Sequence, residues 1–171
     1  VPLVLYVGRM MPQKGAAAVV AAAAKVWEQS PETHFVFVGP ASKESEAWFA
    51  GNDARLKYLG KVPAQEKADA MAACDVFCMP SMSEILPTVY LEAWSYGKPV
   101  VGGRAHGLPE LVEGNGGGLT VSQDAGDVSR ALLSLLGDEE KRHTLGAKGQ
   151  ELVARRYSVP AVAEALLQLY G

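Results

Sequence analysis

The sequence predicts an α/β fold with one doubly wound parallel sheet of about six strands, flanked by helices. Three observations carry this expectation. Apolar runs of strand length alternate with helical stretches as far as Val101. Two of the runs, residues 35–38 and 76–79, are apolar at every position, as in strands buried on both faces of a parallel sheet. Breakers stand between the segments: Gly8, Pro31, Gly39, Gly60, Pro80, Gly97 and Pro99. Alternation of this kind implies right-handed crossovers and a Rossmann-like arrangement.

Each element follows in turn. Residues 1–7 form a strand stopped by Gly8, and a loop carrying Arg9 and Lys14 follows. Residues 16–29 are Ala-rich and helical, because Ala loses almost no side-chain entropy in a helix; Ser30 and Pro31 end the run. The second strand covers residues 34–39, a short helix residues 42–49, and the third strand residues 55–59 before Gly60. Residues 64–73 are helical, and residues 75–79 make the fourth strand. After a polar loop, Pro87 sits where a helix begins, since its fixed φ and missing N–H suit the first helical position. That helix, residues 88–96, is stopped by Gly97 and Pro99, and Val100-Val101 opens the fifth strand. A short helix near Pro109, a glycine-rich turn at residues 114–118 and a sixth strand at residues 119–121 come next. The remainder is helical. Val128, Ala131, Leu132, Leu135 and Leu136 keep the helical apolar period, as do Val159, Val162, Ala163, Leu166, Leu167 and Tyr170.

A chain of 171 residues, 49% hydrophobic and 20% charged, suits one globular domain over residues 1–171. A net charge of −3 with no basic stripe excludes nucleic acid as a partner. No signal-peptide pattern and no apolar run of bilayer length is read, so a cytoplasmic location is expected. Cys74 and Cys78 read as reduced core thiols. A C-x3-C pair without neighbouring His or Cys is a poor metal site, so no metal is expected. The chain begins inside a strand and without Met, which reads as a piece of a longer polypeptide.

In open α/β sheets ligands bind at the carboxyl ends of the strands, near the point where strand order reverses. The loops after Val7, Val38, Leu59, Met79 and Val101 therefore converge on one rim. A guanidinium grips phosphate as a fork and an ammonium acts as a mobile point charge, so Arg9 and Lys14 suit an anion there. The helix N-terminus at Pro87 adds free N–H groups and a partial positive charge. Two carboxylates bracket it: Glu84 before it and Glu92 one turn inside.

The pattern Glu84-x7-Glu92, with Gly97-x-Pro99-Val-Val and Gly107-Leu-Pro-Glu110 after it, resembles the retaining family 4, or group 1, glycosyltransferases. So do Gly8-Arg9-x4-Lys14-Gly15, Tyr58-Leu-Gly60 and Asp75-Val-Phe-Cys-Met-Pro-Ser81, in the same order along nearly the whole chain. The resemblance implies the C-terminal, donor-binding half of a two-domain GT-B fold, with the N-terminal acceptor domain outside this chain. It implies transfer of a sugar from a nucleotide-diphosphate sugar with retention of configuration and no metal or other cofactor. Arg9, Lys14 and Glu84 would be the catalytic set, with the cations on the diphosphate and Glu84 beside the sugar. Glu92 would accept from the ribose hydroxyls, and Leu86, Pro87, Thr88 and Val89 would face the phosphates. Gly60, Lys61 and His106 complete the expected donor-binding set. The full protein would be cytoplasmic or peripheral at a membrane. The exposed face of the last helix would dock on the N-terminal domain or pair two copies of the chain.

Three positions depart from the family pattern. Ile85-Leu86 stands where Gly-Phe is usual, which questions the loop geometry because a β-branched residue resists positive φ. His106 stands in place of a glycine, and is either a ligand contact or an exposed loop residue. Arg104 replaces a common acid, and either adds positive charge or pairs with Glu110. Two other readings stay open: a non-catalytic nucleotide-sugar-binding domain, and an NAD-binding Rossmann domain. The second lacks a Gly-x-Gly-x-x-Gly after the first strand.

Overall fold

A computed structural model describes residues 1–51 and 53–170, with the backbone alone at residue 170. The strands are β1 (Leu3–Val7), β2 (His34–Val38), β3 (Leu56–Gly60), β4 (Val76–Met79), β5 (Val100–Gly103) and β6 (Gly118–Val121). They form one six-stranded sheet in the order β3-β2-β1-β4-β5-β6. Every pair is parallel. The direction of winding reverses between β1 and β4, so the switch point lies there.

The strand cores are apolar for a positional reason. Central β4 and β5 are buried at every residue, whereas edge strand β3 alternates half-buried and exposed positions. The helices are α1 (Ala16–Trp27), α2 (Lys43–Glu46), α3 (Ala64–Ala73), α4 (Thr88–Ser95), α5 (Leu108–Val112), α6 (Ala125–Leu136), α7 (Glu139–Leu152) and α8 (Val159–Tyr170). The units β1–α1–β2 and β4–α4–β5 run in opposite directions along the sheet. Right-handed crossovers therefore place α1 and α4 on opposite faces. Helix α1 packs on α6, and α4 packs on α7.

Local chemistry explains the boundaries. Asp124 and Asp138 cap α6 and α7, accepting the N–H of Asp127 at 3.0 Å and of Lys141 at 2.9 Å. The expected single helix over residues 42–49 divides into α2 and a 3-10 turn, Ala47–Phe49, after a reciprocal Ser42–Ser45 cap. Helix α1 ends at Trp27, two residues short of the expected end, with Glu28 as its C-cap. Pro87 is the N-cap of α4 with ψ 90°, and Thr88 is the first helical residue. The expectation was one position out: an extended ψ lets Pro87 turn the chain into the helix from outside it.

Two glycines bring the loops of the switch point together. Gly15 has φ +83°, and a Cβ there would lie 2.6 Å from the Pro80 carbonyl oxygen. A Cβ on Gly103 would lie 1.8 Å from the carbonyl oxygen of Ser81. Tyr90, buried on α4, then fastens the ends of β4 and β5. Its hydroxyl donates to the Met79 carbonyl at 2.5 Å and accepts the Gly103 N–H at 3.3 Å. Burial pushes the Tyr90 phenol well above its ordinary pKa.

Removing only that hydroxyl takes the acceptor from the buried Gly103 N–H and one of two donors from the Met79 carbonyl, which keeps the Ser81 N–H at 2.8 Å. Tyr90→Phe is expected to lower stability by about 1–2 kcal/mol in urea denaturation. A loss within about 0.3 kcal/mol of zero would show that water replaces the hydroxyl.

Candidate functional site

A cleft of about 240 Å³ opens at the carboxyl ends of β1 and β4. Val7 and Gly8 form one wall, Leu86 to Val89 with Glu84 and Glu92 another, and Lys14 and Lys67 reach in from either side. Seven expected residues meet here: Lys14, Glu84, Leu86, Pro87, Thr88, Val89 and Glu92. The cleft stands at the switch point, where open α/β sheets bind their ligands.

The N-terminus of α4 forms part of this wall. No side chain caps it, and its first turn holds no acid. Its leading N–H groups therefore have no intrahelical acceptor and carry the positive end of the helix dipole. Lys14 reaches the same place because a 3-10 turn, Pro12–Lys14, folds the loop back before Gly15. Its ammonium is ion-paired with Glu84 and donates to the Ser83 carbonyl at 3.3 Å. The Ser81 hydroxyl, on a fully buried residue, donates to the same Glu84 Oε1 at 3.0 Å. Glu92 is held from the other side, its Oε2 lying 2.7 Å from Lys67 Nζ. Two lysines thus balance two glutamates, and the α4 dipole is the remaining positive feature.

The Gln123 amide ties the two loops from outside, donating to the Gln13 carbonyl at 3.1 Å and the Pro80 carbonyl at 2.9 Å. Lys67, Ser81 and Gln123 were missed by the sequence reading. Lys67 carries one faint signal: a cation in the first turn of α3, where the dipole favours an acid.

The other expected residues lie apart from the cleft. Arg9 is exposed and lines an adjoining hollow with Met10, Met11, Pro12, Pro40, Ala41 and Ser42. Its backbone is anchored by the Tyr6 hydroxyl, which donates to the Arg9 carbonyl at 2.9 Å. Gly60 has φ +68° at the end of β3, with exposed Lys61 after it. His106 is exposed in the loop after β5. Arg104 pairs with Asp127 at 3.6 Å and donates to the Thr120 carbonyl at 3.4 Å, so the suggested Glu110 partner is replaced. The reason is position: α6 begins beside β6 and brings Asp127 to the arginine. Ile85 is 104% exposed, and no residue other than glycine has positive φ among those described. The loop therefore closes without the strain expected of Ile85.

Cys74 and Cys78 are free and buried, and burial pushes the Cys74 thiol up to about 12 and Cys78 higher still. Among the described residues no three His, Cys, Asp or Glu side chains cluster to hold a metal ion. No helix among them is long and apolar enough to cross a membrane.

These features define an α/β domain with a cleft at its switch point, walled by an uncapped helix end, two lysines and two glutamates. The chain belongs to the group 1 glycosyl transferases, whose family pattern matches residues 1–152. It is 30% identical over 177 residues to the GDP-mannose-dependent monoacylated alpha-(1-6)-phosphatidylinositol monomannoside mannosyltransferase of Corynebacterium glutamicum, covering 98% of this chain and 46% of that protein. Sucrose-phosphate synthase from Thermosynechococcus elongatus superposes with a TM-score of 0.83 at 30% identity, covering 99% of this chain and 44% of that one. Anabaena HepE, solved in complex with UDP and glucose, gives 0.83 at 26% identity over 98% of this chain and 47% of its own. The chain thus spans less than half the length of these relatives. The fold matches glycosyltransferases of the GT-B type, and membership of this family displaces the NAD-binding alternative.

Asp127, which anchors Arg104, supplies a pH prediction. The Ser122 N–H at 2.8 Å holds its carboxyl below the ordinary range, and the Ser122 hydroxyl, Arg104 and Arg130 act in the same direction. A carboxyl held low stabilises the fold fully above its unfolded value near ~3.9, and loses that contribution as pH falls through the folded value. Asp127→Asn should therefore flatten the acid limb of a stability curve below about pH 4. An acid limb as steep as that of the unaltered chain would count against this.

Proposed function

We propose that this chain is the donor-binding half of a retaining glycosyltransferase that uses a nucleotide-diphosphate sugar. The observation that carries the reading is the uncapped α4 N-terminus opening into a cleft that also holds Lys14, Glu84 and Glu92. The diphosphate lies on the N–H groups of Thr88 and Val89, with Lys14 beside it. Glu92 accepts from the ribose hydroxyls. Glu84 sits next to the sugar and holds Lys14 in place until the donor arrives. Cleavage of the sugar–phosphate bond builds negative charge on the departing diphosphate, and a preformed helix end with an adjacent ammonium stabilises that charge. Such neutralisation requires no divalent metal. Arg9 joins from the adjoining hollow when the diphosphate extends that way. Gly60, Lys61 and His106 lie on neighbouring loops of the same rim and would contact the base or the sugar.

The acceptor site and the remaining catalytic groups belong to an N-terminal domain outside this chain, in a cytoplasmic protein that is free or peripheral at a membrane. Helix α8 supports this. Val159, Val162, Leu166, Leu167 and Leu169 are all exposed on it, a face suited to docking on that domain; the Tyr170 side chain lies outside the described residues. The same face would pair two copies of the chain when that domain is missing.

Calorimetry with UDP, GDP and ADP, with NAD as control and with and without Mg²⁺, tests the reading. One diphosphate should bind independently of metal, and Glu92→Ala should weaken it about tenfold, equal to about 1.4 kcal/mol. Unchanged affinity would remove Glu92 from the ribose role, and NAD binding alone would overturn the reading. The chain by itself is expected to transfer no sugar; measurable transfer would contradict the division of labour.

A further inference from the structure

We infer that Lys67 is a positioning residue that sets Glu92 to receive the vicinal hydroxyls of a ribonucleoside, and so selects ribose over deoxyribose donors. The inference rests on the reading of Glu92 given above and adds the group that governs it.

Lys67 and Glu92 stand on helices that follow different strands. Helix α3 follows edge strand β3, and α4 follows β4, which two strands, β2 and β1, separate from β3 in the sheet order. Their side chains meet at 2.7 Å across the cleft, and both line it. The two are 36% and 39% exposed, so the pair adds little stability by itself. Lys67 also sits in the first turn of α3, where the dipole disfavours a cation. A residue that breaks a local rule and contributes little to stability suits a task in the site.

The geometry assigns that task to positioning. The Lys67 ammonium is committed to one oxygen, Oε2, of Glu92. A carboxylate offers about four lone-pair directions, so Glu92 keeps capacity for two further donors. A cis-diol presents two hydroxyls side by side, which a carboxylate receives in bidentate fashion only if its plane is fixed. Left alone, a half-exposed Glu on a helix samples several rotamers. The Lys67 contact removes that freedom before ligand arrives, which raises affinity by preorganisation.

A plain phosphate-binding cation would behave differently. It would strengthen a ribonucleoside diphosphate and its 2′,3′-dideoxy analogue equally, because the diphosphate is the same. A residue acting through Glu92 strengthens only the ribonucleotide. The ratio of the two dissociation constants, dideoxy over ribo, therefore isolates the effect from the Coulomb attraction.

The experiment uses calorimetry on the whole chain with UDP, GDP and ADP, each paired with its 2′,3′-dideoxy analogue. The ratio should be on the order of tenfold for the tightest binder and fall towards one in Glu92→Gln. In Lys67→Met it should fall about fivefold, and Lys67→Arg should restore it to within about twofold, since a guanidinium also reaches a carboxylate. Lys67→Gln serves in place of Lys67→Met if that variant does not fold. A ratio unchanged in Lys67→Met while Glu92→Gln abolishes it would overturn the inference and leave the Glu92 reading intact. Equal loss for both ligands in Lys67→Met would make Lys67 a phosphate cation and also overturn it. A ratio near one in the unaltered chain, or no binding of any diphosphate, would remove the Glu92 reading and the inference together.

Discussion

The arrangement of the site depends on one unmet need: the leading N–H groups of α4 point into a cleft and no side chain caps them. An uncapped helix end forgoes about 1 kcal/mol that a Ser, Asp or Asn at the N-cap would supply. Pro87 at that position cannot cap, having neither a hydroxyl nor a carboxylate. Side chains cap three other helices, Asp124 on α6, Asp138 on α7 and Ser42 on α2, while α1, α3 and α5 share with α4 the lack of a side-chain cap. Among the uncapped helices, α4 is the one whose N-cap and first two residues line the cleft at the switch point of the sheet, beside two lysines. Capping groups there would compete with an anionic ligand.

The surrounding structure keeps that end in place. Gly15 and Gly103 let three loops approach closer than any side chain would allow. Tyr90 and Gln123 then tie those loops to one another by hydrogen bonds to backbone carbonyls. The lysines are paired with Glu84 and Glu92, so neither cation is left loose before a ligand arrives. The half-exposed Lys67–Glu92 pair contributes little to folding, and both pairs fix the directions of side chains that line the cleft.

The fold was legible because each apolar run carried its own punctuation. Gly8, Gly60, Pro80 and Gly97 mark loop starts, and the uninterrupted apolar residues of β4 announce a buried parallel strand. The strand order was not legible, since β3 and β4 are consecutive in sequence yet separated by β2 and β1 in the sheet. The loop and helix containing Glu84 and Glu92 were legible by their spacing and by family resemblance. Lys67 was not, because a lysine in the run Ala64–Ala73 reads as part of a solvated face until α3 and α4 are placed together. Arg9 shows the converse. Its neighbour in the motif, Lys14, is carried into the cleft by the turn at Pro12, while Arg9 stays on the near side of that turn. The mate of Arg104 was misread because Asp127 is distant in sequence and only the β6–α6 connection brings it close.

The central claim is that the α4 N-terminus is the anion-receiving point. Amide chemical-shift mapping of the isotopically labelled chain, titrated with UDP, GDP and ADP in turn, tests it most directly. The account predicts that one of them moves the amides of Thr88 and Val89 most, with those of Gly8 and Gly15 following. Shifts centred instead on the hollow of Glu113, Gly114, Asn115 and Gly116, at the opposite end of the sheet, would contradict it, as would no shift with any of the three.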